Sequence, residues 1–113
     1  MSFKAYDRGK VSVLELSGRI TLGSGDVKMR ELIKAQIDAG KKQIVVDLGG
    51  VSFIDSSGLG ELVAAYTTAR RNHVSIKLAN LTKKIDDLME ITRLASVFDT
   101  YGSVDEAVES FNG

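Results

Sequence analysis

The segment Gln43-Ile44-Val45-Val46-Asp47-Leu48 constrains this chain more than any other. It is a short, nearly continuous apolar run rich in β-branched residues, the pattern of a strand buried on both faces. Amphipathic helical stripes bracket it. Upstream, Met29, Leu32, Ile33 and Ile37 recur at i, i+3, i+4 and i+8; downstream, Leu59, Leu62, Val63 and Tyr66 recur at i, i+3, i+4 and i+7. A strand lying between two helices pairs in parallel with its neighbours through right-handed crossovers.

The rest of the chain extends that frame. Phe3 to Asp7 and Val11 to Leu16 read as strands, with Arg8-Gly9 supplying a hairpin turn. Ser24 or Asp26 is available to cap the first helix, and Gly40 ends it. Gly49 to Ser56 reads as a loop. Arg70 and Arg71 complement the negative end of the second helix, and Asn72 stops it. Val74 to Leu78 is a fourth strand. Thr82 caps a third helix whose apolar side is Ile85, Leu88, Met89 and Thr92, and Ser96 to Asp99 is a short strand. Ser103-Val104-Asp105-Glu106 is a capping box ahead of the stripe Val104, Ala107, Val108, Phe111. The predicted order is β-β-α-β-α-β-α-β-α. It implies one α/β domain over 1–113, a sandwich with a mixed four- to five-stranded sheet and four helices.

Composition removes whole classes of function. The 15 basic and 15 acidic side chains cancel, so there is no electrostatic footprint for nucleic acid or an anionic membrane. The absence of cysteine excludes disulfides, thiolate metal sites and a thiol nucleophile. No apolar run approaches the ~20 residues of a membrane helix, and the charged N-terminus does not read as a signal peptide. A cytoplasmic protein is expected.

Catalytic constellations fail on spacing. The single histidine, His73, lies at the far end of the helix that begins near Ser57. A helix of about 15 residues is roughly 22 Å long, which puts that imidazole out of reach as a base. Neither Ser56 nor Ser57 has glycine two residues to each side, so there is no nucleophile elbow. No glycine loop continues into Gly-Lys-Ser/Thr, which leaves nucleotide binding through Gly23-Ser24-Gly25 without its basic residue. No enzymatic activity, metal or cofactor is expected.

One segment does carry chemistry: Asp55-Ser56-Ser57-Gly58-Leu59-Gly60, at the start of a helix. Asp and Ser are preferred caps, and one capping oxygen stabilises by ~1 kcal/mol. Capping accounts for one of the three residues but not for Gly58 and Gly60, each costing up to ~1 kcal/mol inside a helix. Glycines there leave room for something to approach the backbone, and a helix N-terminus suits a phosphate.

These residues resemble a known family, the STAS domains, and within it the bacterial anti-sigma factor antagonists. The likeness rests on Val46-Asp47-Leu48 and Ile54-Asp55-Ser56-Ser57-Gly58-Leu59-Gly60, and extends to Leu14 through Ile20, Leu94 through Phe98, Tyr101-Gly102-Ser103 and Glu106-Ala107. The resemblance implies that Ser57 accepts phosphate from an anti-sigma factor that is also a serine kinase. It implies that the unphosphorylated form binds that kinase and frees a sigma factor, and that a PP2C-type phosphatase resets the switch. Asp55, Ser56, Gly58, Leu59, Gly60 and Thr21 would form the switch loop and partner-binding surface. Thr21 follows Gly18-Arg19-Ile20 where many antagonists carry aspartate, a departure that implies either a different kinase contact there or a different class of partner. The alternative within the family is an unphosphorylated scaffold or docking subunit, as in stressosomes, other partner-switching pathways or lipid-transport assemblies. A phosphate at a helix N-terminus should be tolerated by the fold, because negative charge is favoured there by ~0.3–1 kcal/mol.

Overall fold

The computed structural model describes residues 1–112. Strand β1 (Ser2–Arg8) pairs antiparallel with β2 (Val11–Ile20) through a two-residue turn, where Gly9 adopts φ +62°. The turn is therefore Gly9-Lys10, and Arg8 still pairs with Val11. Helix α1 (Asp26–Asp38) leads to β3 (Gln43–Ile54), α2 (Ser56–Arg71) to β4 (Ser75–Ala79), α3 (Lys83–Ile91) to β5 (Asp99–Tyr101), and α4 (Val104–Ser110) follows. The sheet order is β1-β2-β3-β4-β5, parallel from β2 onward. The predicted element order and the mixed sheet with its antiparallel edge are observed.

Strand β3 is buried on both faces, as its sequence requires. Ile44, Val46 and Leu48 face a core shared with Met29 and Ile33 of α1, Leu59 and Leu62 of α2, and Ile85 and Met89 of α3. Val45 faces the opposite side, where it packs with Val11 and Val13 of β2 and with Ala107 and Val108 of α4. Two helical layers on one sheet follow from this alternation of side chains.

Three boundaries differ by more than one residue from the sequence reading. Gly49 to Ile54 is not a loop but the second half of β3. The parallel register with β2 shifts between Glu15 and Ser17, a bulge that keeps the strand paired past the two glycines. Gly50 is needed there, since a Cβ would lie 2.8 Å from the Ser17 Cβ. In consequence β2 also runs four residues further, to Ile20. The last strand is Asp99–Tyr101, displaced from Ser96–Asp99, because 94–98 forms turns bonded back to Met89 and Leu94. Those turns seat Phe98, 4% exposed, edge-on against Tyr66 at 5.0 Å. Thr92 is exposed and does not extend the apolar side of α3; its hydroxyl donates to the Leu88 carbonyl.

Capping also separates the candidates. Thr82 and Ser103 accept from the amides of Ile85 and Glu106, as predicted. Helix α1 has neither Ser24 nor Asp26 at its N-cap; Gly25 sits there at φ +94°, with no side-chain bond. A Cβ on Gly25 would approach the Arg19 carbonyl to 2.9 Å, so the entry into α1 requires glycine.

Candidate functional site

Both β2 and β3 end at the same edge of the sheet, paired through Ile20 and Ile54. Their outgoing connections, Thr21–Gly25 into α1 and Asp55 into α2, therefore lie side by side. Of the three capping candidates, Asp55 caps α2: its Oδ1 accepts from the Gly58 amide at 2.9 Å. Its Oδ2 accepts from the Leu22 amide at 3.0 Å, and its own amide donates to the Ile20 carbonyl at 3.2 Å. One carboxylate thus ties the start of α2 to the β2–α1 turn.

A second carboxylate returns the tie. Asp26, the first residue of α1, is 3% exposed. Its Oδ2 accepts from the Ser57 hydroxyl at 2.8 Å, and its Oδ1 accepts from the amides of Val27 at 2.8 Å and Gly23 at 3.1 Å. Asp26 is the site residue that sequence reasoning missed. It figured there only as a helix cap, and nothing local marks a contact spanning 31 residues. It brings a carboxylate to Ser57 where Thr21, bonded to Ser24 through the backbone, cannot.

The other site residues divide by exposure. Ser56 and Gly60 are exposed, while Asp55, Ser57 and Thr21 are partly so. Gly58 and Leu59 are buried. Gly58 is explained by its own fold: a Cβ would meet the Ile20 carbonyl oxygen and Ile54 Cγ1, both at 2.7 Å. The room that glycine leaves is thus filled by β2 and β3. Gly60 has nothing within 4 Å of a notional Cβ and remains open. His73 is exposed at the far end of the 16-residue α2, in a left-handed conformation with φ +57°.

Beside Ser56 runs an apolar groove of about 430 Å³, lined by Phe53, Ile54, Leu59, Leu88 and Ile91 among others. Arg19 and Lys84 lie over the Phe53 ring at 4.7 and 5.6 Å. Two large apolar side chains here are exposed: Leu22, whose amide is held by Asp55, to 78%, and Ile91, which lines the groove with Ser56, to 79%. Among the described residues no acidic or histidine cluster could hold a metal ion, and no helix is long and apolar enough to cross a membrane.

The electrostatics follow from these bonds. The Ser57 hydroxyl, then the Val27 and Gly23 amides, hold the Asp26 carboxyl below its ordinary range, against the opposing effect of burial. The Gly58 and Leu22 amides do the same for Asp55. Both native values are lowered relative to the roughly 3.9 of an unfolded aspartate. The resulting stability is therefore present above that value and is lost as pH falls through the native ones. Ser57→Ala removes the largest cause acting on Asp26, so its titration midpoint is expected to rise while that of Asp55 stays put. Carbon-detected NMR titration of the two carboxyls checks this; an unmoved Asp26 would mean the hydroxyl contact is absent in solution.

The fold has counterparts. The family model described as the STAS domain matches residues 2–107. The chain belongs to the STAS domain family. It is 29% identical over 86 residues to the anti-sigma-B factor antagonist of Bacillus subtilis, covering 76% of this chain and 77% of that one. The crystal structure of an anti-sigma factor antagonist from Mycobacterium paratuberculosis superposes with a TM-score of 0.88 at 23% identity, covering 99% of this chain and 94% of that one. SpoIIAA of Bacillus, solved unphosphorylated and phosphorylated, gives TM-scores of 0.75 and 0.74 at 18% and 19% identity. The two forms cover 99% and 97% of this chain, and each is itself covered to 99%. At these identities the structures establish the shared STAS fold.

Proposed function

We propose that this STAS domain is an anti-sigma factor antagonist whose binding surface is switched by phosphorylation of Ser57. The observation that carries the reading is the placement of Ser57: a partly exposed hydroxyl in the first turn of α2, next to Ser56, which lines the apolar groove with the exposed Ile91, and to Asp55, which holds the amide of the exposed Leu22. Apolar side chains left in solvent around a polar centre suit a protein partner. The existence of SpoIIAA in unphosphorylated and phosphorylated forms supports a switch of this kind.

In this reading the partner is an anti-sigma factor with serine kinase activity. The Ser57 oxygen attacks the γ-phosphorus of ATP held by that partner, the bond to ADP breaks, and the hydroxyl proton leaves. A PP2C-type phosphatase hydrolyses the ester with water and restores the hydroxyl. The chain is the substrate and the binding module, and the chemistry belongs to its partners. Unphosphorylated, it occupies the kinase and frees a sigma factor.

Intact mass of the protein from its native host, with and without phosphatase treatment, tests the reading. One removable phosphate is expected, on Ser57, and Ser57→Ala should abolish it. Ser56→Ala should leave it in place with little loss of stability, since Asp55 and not Ser56 caps α2. Phosphate mapped by fragmentation to Ser56 would move the switch by one residue. A chain never phosphorylated in the host would be a docking subunit instead.

A further inference from the structure

The phosphate would not meet an empty space. Ser57 donates its hydroxyl proton to a carboxylate that is itself buried, 2.8 Å away. Esterification replaces that proton with phosphorus, so Asp26 Oδ2 loses its donor. The same event adds about −1.5 to −2 charges at the Ser57 oxygen. A desolvated carboxylate facing a like charge, without a donor, is a costly arrangement that the structure must relieve.

The two sides of the contact differ in how readily they can yield. On the α2 side, Gly58 is seated against the Ile20 carbonyl and Ile54, and Leu59 is buried in the core. On the α1 side, Leu22, Gly23 and Ser24 are exposed, and Gly23 and Gly25 already occupy positive φ. Gly23 and Val27 hang on Asp26 Oδ1, whereas Leu22 hangs on Asp55. Within Gly23–Val27, Ser24 is held by its paired backbone bonds to Thr21 and Gly25 is seated against the Arg19 carbonyl, so what can yield is the Asp26 side chain and the two amides it holds, Gly23 and Val27.

We infer that Asp26 is the residue that senses the phosphate: a phosphoryl group on Ser57 expels its carboxylate, which breaks the contact between α1 and the start of α2 and frees the Gly23 and Val27 amides, while Asp55 keeps Leu22 in place. The inference rests on the reading of Ser57 as a phosphate acceptor. It adds a change of shape to the change of charge, at the rim of the surface a partner would touch.

The test uses the full chain with phosphoserine incorporated genetically at position 57, compared with the unmodified protein by amide hydrogen exchange in NMR. The Gly23 and Val27 amides are expected to exchange at least ~10-fold faster in the phosphoserine form, with Leu22, Leu14 and Val46 unchanged. Asp26→Asn in the phosphoserine protein should restore both, because the side-chain oxygen still accepts from the two amides and its NH₂ can donate to the phosphate. Unchanged exchange at Gly23 and Val27, or no rescue by Asp26→Asn, overturns the inference. Faster exchange spreading to Leu14 and Val46 also overturns it, since that is global loosening. Should the phosphoserine protein fail to fold, the same comparison on Ser57→Asp decides. Because the phosphate is installed without a kinase, this outcome is independent of whether the host modifies Ser57, which the mass measurement decides.

Discussion

Ser57→Asp is expected to lose about a hundredfold or more in affinity for the anti-sigma kinase proposed as its partner, while Ser57→Ala binds close to wild type and is never released by phosphorylation. A partner surface complementary to a neutral hydroxyl would meet a carboxylate beside Asp55, and like charges juxtaposed at an interface cost several kcal/mol. Two decades of affinity correspond to about 2.8 kcal/mol, so the expected loss lies within that range. Titration calorimetry against the kinase measures it. The helix N-terminus by itself would have accommodated the new charge. The structure changes that expectation, because Asp26 accepts from the Ser57 hydroxyl across the site. Ser57→Asp should therefore also melt at a lower temperature, and Asp26→Asn in that background should recover the melting temperature without recovering the affinity. If Ser57→Asp bound as tightly as Ser57→Ala, charge at this position would not be the switch.

Gly58→Val is expected to destabilise the fold by about 3 kcal/mol, at the upper end of what overpacking typically costs. The atoms its Cβ would meet at 2.7 Å include a backbone oxygen, the Ile20 carbonyl, which cannot rotate away. Total stabilities of such domains are about 5–15 kcal/mol, so this is a large fraction of the whole. Gly60→Ala, two residues on in the same helix, should do the opposite. Its Cβ meets nothing within 4 Å, and replacing glycine inside a helix gains up to ~1 kcal/mol. Urea denaturation of the pair separates the two roles. A Gly58→Val protein as stable as wild type would mean that α2 does not start pressed against β2. The same variant should also weaken the Asp26–Ser57 contact, because the first turn of α2 would be lifted from its seat.

The sequence by itself determined the element order, the antiparallel edge and the doubly buried β3. Each of these is a local period: two for strands, 3.6 for helices, and an unbroken apolar run where both faces are covered. It also located the serines at a helix start, through cap residues that act within three positions. Tertiary structure alone decided what depends on non-local distance. Gly49–Ile54 remains a strand because Ser17 comes close enough to demand glycine at position 50, which no local pattern shows. Gly58 looked like room for a ligand and proved to be room for Ile20 and Ile54. Asp55 was chosen over Ser56 and Ser57 as the cap because only its carboxylate also holds the Leu22 amide. Asp26 became part of the site because β2 and β3 end together, which brings a side chain 31 residues away to the Ser57 hydroxyl.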